Sequence, residues 1–375
     1  MRKNIELKAY YKDHDQAHST ALALGGQHVD SQVEVDTYFW TPTGRLKFRE
    51  RDRSPSSLIF YQRLDSPTIR ASDFEILPLE VNAPKVRDFL SKALGVRAVV
   101  KKTRDTYQLG NALVHLDQLQ QVGTFLEIEV TVPEGHSDEQ ASAVADSLRR
   151  RFGVPQAHIV PWSYAELVVI YEASLRWRSL LHNVNRQGIL FLLDGASGSG
   201  KTTLAHRIMS DPSLGLTYVP RYTTRPPRTA TDEEYIFVST RDFTDLAHRG
   251  HFLEYRDFKF DMSYGVPWRE AVTPLTHGSS ALGIMNLGNV FHVKRIFPEA
   301  VLILITASEQ AIRQRLLERG VHTESQIVER LQNARSTAEL RQYYDHVVVN
   351  ENHALDNAAH TLGQIIRSHQ TRECT

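Results

Sequence analysis

The sequence predicts two domains of different class: an N-terminal antiparallel β-barrel or tunnel with flanking helices (α+β), and a C-terminal α/β domain built on a parallel sheet. Three observations predict them. Up to about residue 170 the chain reads as short strands in which ionic and apolar residues alternate, so that each strand carries its charges on one face. From Ile189 onward short apolar runs alternate with longer amphipathic segments, the pattern of a parallel sheet with crossover helices. A glycine-rich loop separates the first of those runs from the first of those helices. A chain of 375 residues has room for two cores. The expected boundaries are 1–175 for the first domain, 176–188 for a polar linker and 189–375 for the second.

Composition narrows the function. Lys+Arg and Asp+Glu both total 44, so no global basic excess points to nucleic acid or an anionic membrane. Hydrophobic residues at 41% and charged residues at 23% exclude a disordered chain. The single cysteine, Cys374, excludes an internal disulfide and a cysteine metal cluster, and fits a reducing compartment. The opening MRKNIELKAYYKDHD has no apolar stretch, and the longest apolar runs, Ile189 to Leu193 and Val301 to Ile305, are too short to span a bilayer. A cytoplasmic protein with no nucleic-acid or membrane partner is expected. His18, His28, His248, His277 and His292 fall at unrelated spacings without an HExxH pattern, and a surface role is expected for them.

In the first half, Asn4-Ile-Glu6-Leu-Lys8, Arg45-Leu-Lys47-Phe-Arg49-Glu-Arg51, Tyr61-x-Arg63, His115-Leu-Asp117 and Glu127-Ile-Glu129 all alternate. One such strand is a wetted sheet face. Several, with charge rows of opposite sign and glycine turns between them, predict a barrel with a charged lumen. Such a lumen can hold a polyphosphate with its metal. The stretch from Ser137 to Phe152 has helical spacing and closes this half.

NIELKA, DTYFWTPTGRLKFRER, KKTRDTY, HLD and GTFLEIEV occur in the order found in the CYTH superfamily, the triphosphate tunnel enzymes that include class IV adenylyl cyclases and thiamine triphosphatases. Residues 1 to about 170 resemble it. The family's opening motif is ExExK, and Asn4 stands here at its first position. The resemblance implies Glu6, Glu127, Glu129 and Asp117 as ligands of Mg²⁺ or Mn²⁺, and Lys8, Arg45, Lys47, Arg49, Arg63, Lys102 and Arg104 as the grip on a triphosphate. Hydrolysis, cyclisation and ligand sensing all stay open.

In the second half, Gly195-Ala-Ser197-Gly198-Ser199-Gly200-Lys201-Thr202 fits GxxxxGK[ST] between an apolar run and a helical one. Backbone N–H groups in such a loop turn toward phosphate oxygens at a helix N-terminus, joined by Thr203 on the next residue. Lys201 reaches the transferring phosphates and the Thr202 hydroxyl can ligate Mg²⁺. ATP or GTP binding follows.

Arg221-Tyr-Thr-Thr-Arg225-Pro-Pro-Arg228, Tyr235, FLEY ending at Tyr255, Tyr264-Gly265-Val266, RLLERG from Arg315, Arg330 and YDHVVVNENH then follow in order. This half resembles the guanylate kinase family over 189–370. The resemblance implies Arg225, Arg228 and Tyr235 as the acceptor's phosphate site, and Arg315, Arg319 and Arg330 as the arginines that steady the phosphoryl group in flight with Lys201. Of the residues that read guanine in that family, only Glu254 is kept. Arg221 replaces a serine, Val266 follows Tyr264-Gly265, and Ile284 and Asn286 stand where aspartates belong. Those departures resemble the ribose 1,5-bisphosphate phosphokinases on the same fold. The expected activity is an ATP- and Mg²⁺-dependent phosphotransferase acting on a phosphorylated sugar, with a guanylate or other nucleoside monophosphate kinase as the alternative, fused to a domain that binds or hydrolyses a triphosphate.

Overall fold

The computed structural model describes all residues except 1, 63–68, 80–82, 133–136, 183, 185–187, 228–233, 259–261, 287, 319, 321–322 and 373–375. Arg63, Arg228, Arg319 and Cys374 lie outside the described residues. The chain divides into two compact units, Met1–Tyr171 and Glu172–Thr375.

In the first unit, strands β1 (Arg2–Tyr10), β2 (Gln27–Phe39), β3 (Arg45–Arg51), β4 (Ser57–Gln62), β5 (Arg70–Pro78), β6 (Val96–Leu109), β7 (Ala112–Leu119) and β8 (Gly123–Thr131) close into an antiparallel barrel, in the order β1-β5-β4-β3-β2-β6-β7-β8. Helices α1 (His14–Ala23), α2 (Ala83–Leu94) and α3 (Asp138–Arg151) accompany it, and α4 (Tyr164–Leu181) begins here. The alternation explains the barrel. Ile5, Leu7, Leu126, Ile128 and Val130 point outward into a core with Ala17, Ala21, Ala141, Ala145 and Leu148 of α1 and α3, while Glu6, Lys8, Glu127 and Glu129 point inward. Helix α3 starts at a capping box, with Ser137 and Gln140 exchanging side-chain and backbone hydrogen bonds.

In the second unit, β9 (Leu190–Asp194), β10 (Leu216–Val219), β15 (Ser280–Ile284), β16 (Val301–Thr306) and β17 (His346–Val349) form a parallel sheet in the order β10-β15-β9-β16-β17. Strands β9 and β15 are buried along their whole length, which is why they read as unbroken apolar runs. Helices α5 (Lys201–Met209), α7 (Trp268–Thr276), α8 (Val290–Ile296), α9 (Glu309–Glu318), α10 (Glu324–Leu340) and α11 (Leu355–Arg372) belong to this unit. A smaller sheet, β12-β11-β14-β13, is made of β11 (Arg221–Thr223), β12 (Tyr235–Phe237), β13 (Phe252–Phe258) and β14 (Met262–Pro267), with α6 (Thr240–His248) beside β13. No helix among the described residues is long and apolar enough to cross a membrane. His292 departs from the surface role expected of it: it is buried on α8, and burial lowers its pKa to about 3.

Candidate functional site

Inside the barrel lies a cavity of about 330 Å³ whose lining includes Glu6, Lys8, Glu34, Lys47, Arg49, Arg51, Lys102, Arg104, His115, Glu127 and Glu129. The register explains the convergence: Glu6 pairs with Glu129 and Lys8 with Glu127 across β1 and β8. The Lys8 ammonium donates to Glu127, and the Arg104 fork donates to both oxygens of Asp117, at 2.6 and 2.5 Å, and to Glu127. Arg49 makes a similar fork onto Asp36, at 2.6 Å twice, and Lys47 joins it at 3.0 Å. All are charge-assisted, and the two arginine forks are bidentate.

The electrostatics follow from the pairing. Burial raises the Asp117 carboxyl, but Arg104 and Lys102 overcome it and pull the pKa down to about 2. Burial likewise opposes Glu127, and Lys8, Arg104 and Lys102 hold it well below the usual carboxylate range. Glu129 goes the other way: burial, then repulsion from Glu127 and Glu6, pushes it up to about 7.

Among the described residues no three carboxylates or imidazoles stand together as a ready metal cage. The donors whose chemistry fits a hard divalent cation are Glu129 and Glu6, whose unfavourable closeness a cation would relieve. Asp117 is placed differently, fully buried and engaged by Arg104, Lys102 and the Tyr164 hydroxyl. Arg45 also turns away from the expected grip, donating to the buried Glu166 at 3.2 Å. Glu34 and Asp36 are not among the residues expected in the lumen, although Glu34-Val-Asp36 alternates as the other charged strands do. Glu166 and Tyr164 sit on α4 and gave no such signal.

In the second unit the phosphate loop joins β9 to α5. Gly200 at φ 90° caps the helix, and Gly195 at φ 144° lies where a Cβ would meet the Ile305 carbonyl oxygen at 2.1 Å, so neither position accepts a side chain. The Lys201 ammonium donates to the Gly195 carbonyl and to that of Ala196 at 2.9 Å. Thr202 and Thr203 fill the first turn of α5, while Ser197, Gly198 and Ser199 form the loop itself. Arg315 of α9 clasps the loop from its carbonyl side, donating to Gly198 and Ser199 at 3.2 and 3.3 Å and to Asn350 at 2.8 Å. Ala196 packs with Ile312, Leu316, Ile327 and Leu331, so α9 and α10 rest on the loop. Arg330 is half-buried on α10.

The expected acceptor residues gather on the smaller sheet. The Arg225 guanidinium lies 4.4 Å from the centre of the Tyr235 ring and that of Arg221 5.0 Å from it. Arg221 also donates to the Tyr235 hydroxyl at 2.7 Å and stands 5.4 Å from the Tyr264 ring centre. Arg221 makes no ion pair among the described residues. Glu254 is fully buried, and its carboxylate is filled by amides: Asn286 donates from its backbone and its side chain at 3.1 Å, and the Asn289 side chain donates at 2.6 Å.

Burial pushes Glu254 up to about 7 even though those amide donors favour its charged form. The folded state therefore holds this proton more tightly than the unfolded chain. Its contribution to stability is complete below about pH 4.5 and is lost as pH rises through about 7, a change of at most about 3 kcal/mol. Thermal unfolding of the full chain is expected to show this loss between pH 5 and 8, and Glu254→Gln is expected to flatten it. An identical pH profile in the variant would contradict the assignment.

The guanylate kinase family model matches residues 187–369 and the CYTH domain model residues 2–164. A guanylate kinase of Wolbachia sp. subsp. Brugia malayi is 30% identical over 187 residues, covering 49% of this chain and 94% of that protein. A guanylate kinase of Oceanobacillus iheyensis is 31% identical over 178 residues, 46% of this chain and 85% of its own length. A solved protein of Pyrococcus horikoshii matches 44% of this chain and 98% of its own at 25% identity, with a TM-score of 0.39. The chain therefore belongs to the guanylate kinase family of phosphotransferases through its second half, and carries a CYTH domain in its first.

Proposed function

We propose that the second half transfers the γ-phosphoryl group of ATP to a small phosphorylated acceptor other than GMP, with a phosphorylated sugar such as ribose 1,5-bisphosphate as the favoured class. The observation that carries this reading is the state of Glu254. Its oxygens are filled by Asn286 and Asn289, so the ring N–H and amino group of a guanine would find no acceptor there. Each buried donor left unpaired costs about 1–3 kcal/mol. Arg221 and Arg225, stacked about Tyr235, offer two guanidinium forks to an acceptor with more than one phosphate. Lys201 and the loop N–H groups would hold the donor phosphates, and a Mg²⁺ held at Thr202 would supply charge neutralisation on them.

Arg221 tests the acceptor class. Arg221→Gln is expected to raise the KM for ribose 1,5-bisphosphate about tenfold or more, the loss of one charge-assisted contact. An unchanged KM in steady-state ADP release would argue against a second phosphate at this place.

For the first half, we propose that the barrel lumen binds a triphosphate compound. Lys8, Lys47, Arg49, Lys102 and Arg104 line or border the cavity and would draw the phosphate chain in. Glu6 and Glu129 would hold a divalent ion, Mg²⁺ or Mn²⁺, which polarises phosphoryl oxygens when bound.

A further inference from the structure

Glu34 lines the lumen and has no task in the function above. It is buried on β2, 3% exposed, and four cations surround it. Arg51 Nε lies at 3.0 Å, Arg49 Nη1 at 3.2 Å, Lys102 Nζ at 3.2 Å and Arg104 Nε at 3.9 Å from its carboxylate. Three of them, Arg49, Lys102 and Arg104, are cations that the triphosphate reading assigns to the ligand.

The neighbouring carboxylates are built differently. Asp36 and Asp117 are wholly buried, and each is locked by a two-pronged arginine fork. Neither reaches the cavity lining. Glu34 does reach it, and its Oε2 atom, although close to Lys102, accepts no hydrogen bond. A wall pair made for stability would be expected to use the directional, bidentate contacts of Asp36 and Asp117. Glu34 accepts a hydrogen bond from Arg51 Nε at Oε1 but has no two-pronged fork. Its Oε2 is held by charge alone, at the focus of the cations that face the lumen, which is where an anionic ligand's oxygens would lie.

We infer that Glu34 is a specificity-determining residue of the tunnel: an internal anion that competes with a bound polyphosphate for Arg49, Arg51, Lys102 and Arg104. The inference rests on the triphosphate reading of the lumen. A phosphate oxygen brought to these cations meets the Glu34 charge at short range in a poorly screened space. A singly charged anion gains too little to offset that repulsion, whereas a chain that engages several cations at once gains enough. Glu34 thereby sets a threshold of ligand charge.

The test is calorimetric titration of inorganic tripolyphosphate with Mg²⁺ into the full-length protein and into Glu34→Gln at equal ionic strength. Removing the competing charge is expected to tighten binding on the order of tenfold. Equal or weaker binding by the variant, with the parent binding normally, overturns the inference and leaves the tunnel reading intact. If neither protein binds tripolyphosphate, the tunnel reading fails and the inference falls with it. Should Glu34→Gln not fold, Glu34→Asp, which keeps the charge but draws it back by one methylene, is expected to bind about threefold tighter, as partial withdrawal of a like charge requires. Unchanged or weaker binding in that variant overturns the inference equally.

Discussion

Replacing Arg104 with methionine is expected to destabilise the barrel by about 3–5 kcal/mol, because it strands two buried carboxylates, Asp117 and Glu127, that the guanidinium now satisfies. The magnitude comes from what is left behind. Asp117 would keep Lys102 and Tyr164, and Glu127 would keep Lys8, but Asp117 loses both strong prongs of its fork. Urea unfolding of the full-length protein, followed by near-ultraviolet dichroism, should show an early transition displaced to lower urea. Because two units contribute, the curve need not be two-state, and the displacement of the first transition is the quantity to compare. A displacement equivalent to less than about 1 kcal/mol would mean that the network contributes no more than exposed ion pairs do.

Lys201→Ala is the second large effect. The lysine ammonium donates to the loop carbonyls of Gly195 and Ala196, and the proposed function assigns it to the transferring phosphates. Losing one preorganised cation from such a site is expected to lower kcat by about 10²–10³-fold. The Arg315 clasp and the packing of Ala196 against α9 and α10 remain, so the thermal midpoint should move little. Full turnover by this variant would contradict phosphoryl transfer at the loop.

Much of this was legible in the amino acids because periodicity reports directly on burial. Strands such as Glu127-Ile-Glu129 announce a two-faced sheet, and the apolar runs of β9 and β16 announce a sheet covered on both sides. The phosphate loop was legible because its glycines answer a local backbone demand. What stayed hidden depends on contacts between distant positions. Glu166 reaches Arg45 across 121 residues, and nothing in the helical sequence around it marks that partner. Glu254 reads the same whether it faces a ligand or two asparagines 32 and 35 residues away. Arg315 reads as a residue aimed at the phosphoryl group, while in this structure it donates to the loop carbonyls of Gly198 and Ser199, to the Asn350 carbonyl and to the Asn352 side chain. Charge alternation put Glu6, Lys8, Lys47, Arg49, Glu127 and Glu129 on the lumen side, but it left out Glu34. Pair geometry was needed to separate Asp117, locked in the wall, from Glu34, poised on the cavity.

The most direct measurement is ADP release by the purified full-length protein with ATP and Mg²⁺, offered GMP, other nucleoside monophosphates, ribose 1,5-bisphosphate and related sugar phosphates in parallel. The account predicts turnover with ribose 1,5-bisphosphate or a related phosphorylated sugar and at least about a hundredfold lower kcat/KM with GMP, the combined effect of two unmet guanine donors. Efficient turnover of GMP, with none of the sugar phosphates, would show that Glu254 is released from Asn286 and Asn289 to read the base, and would contradict the account.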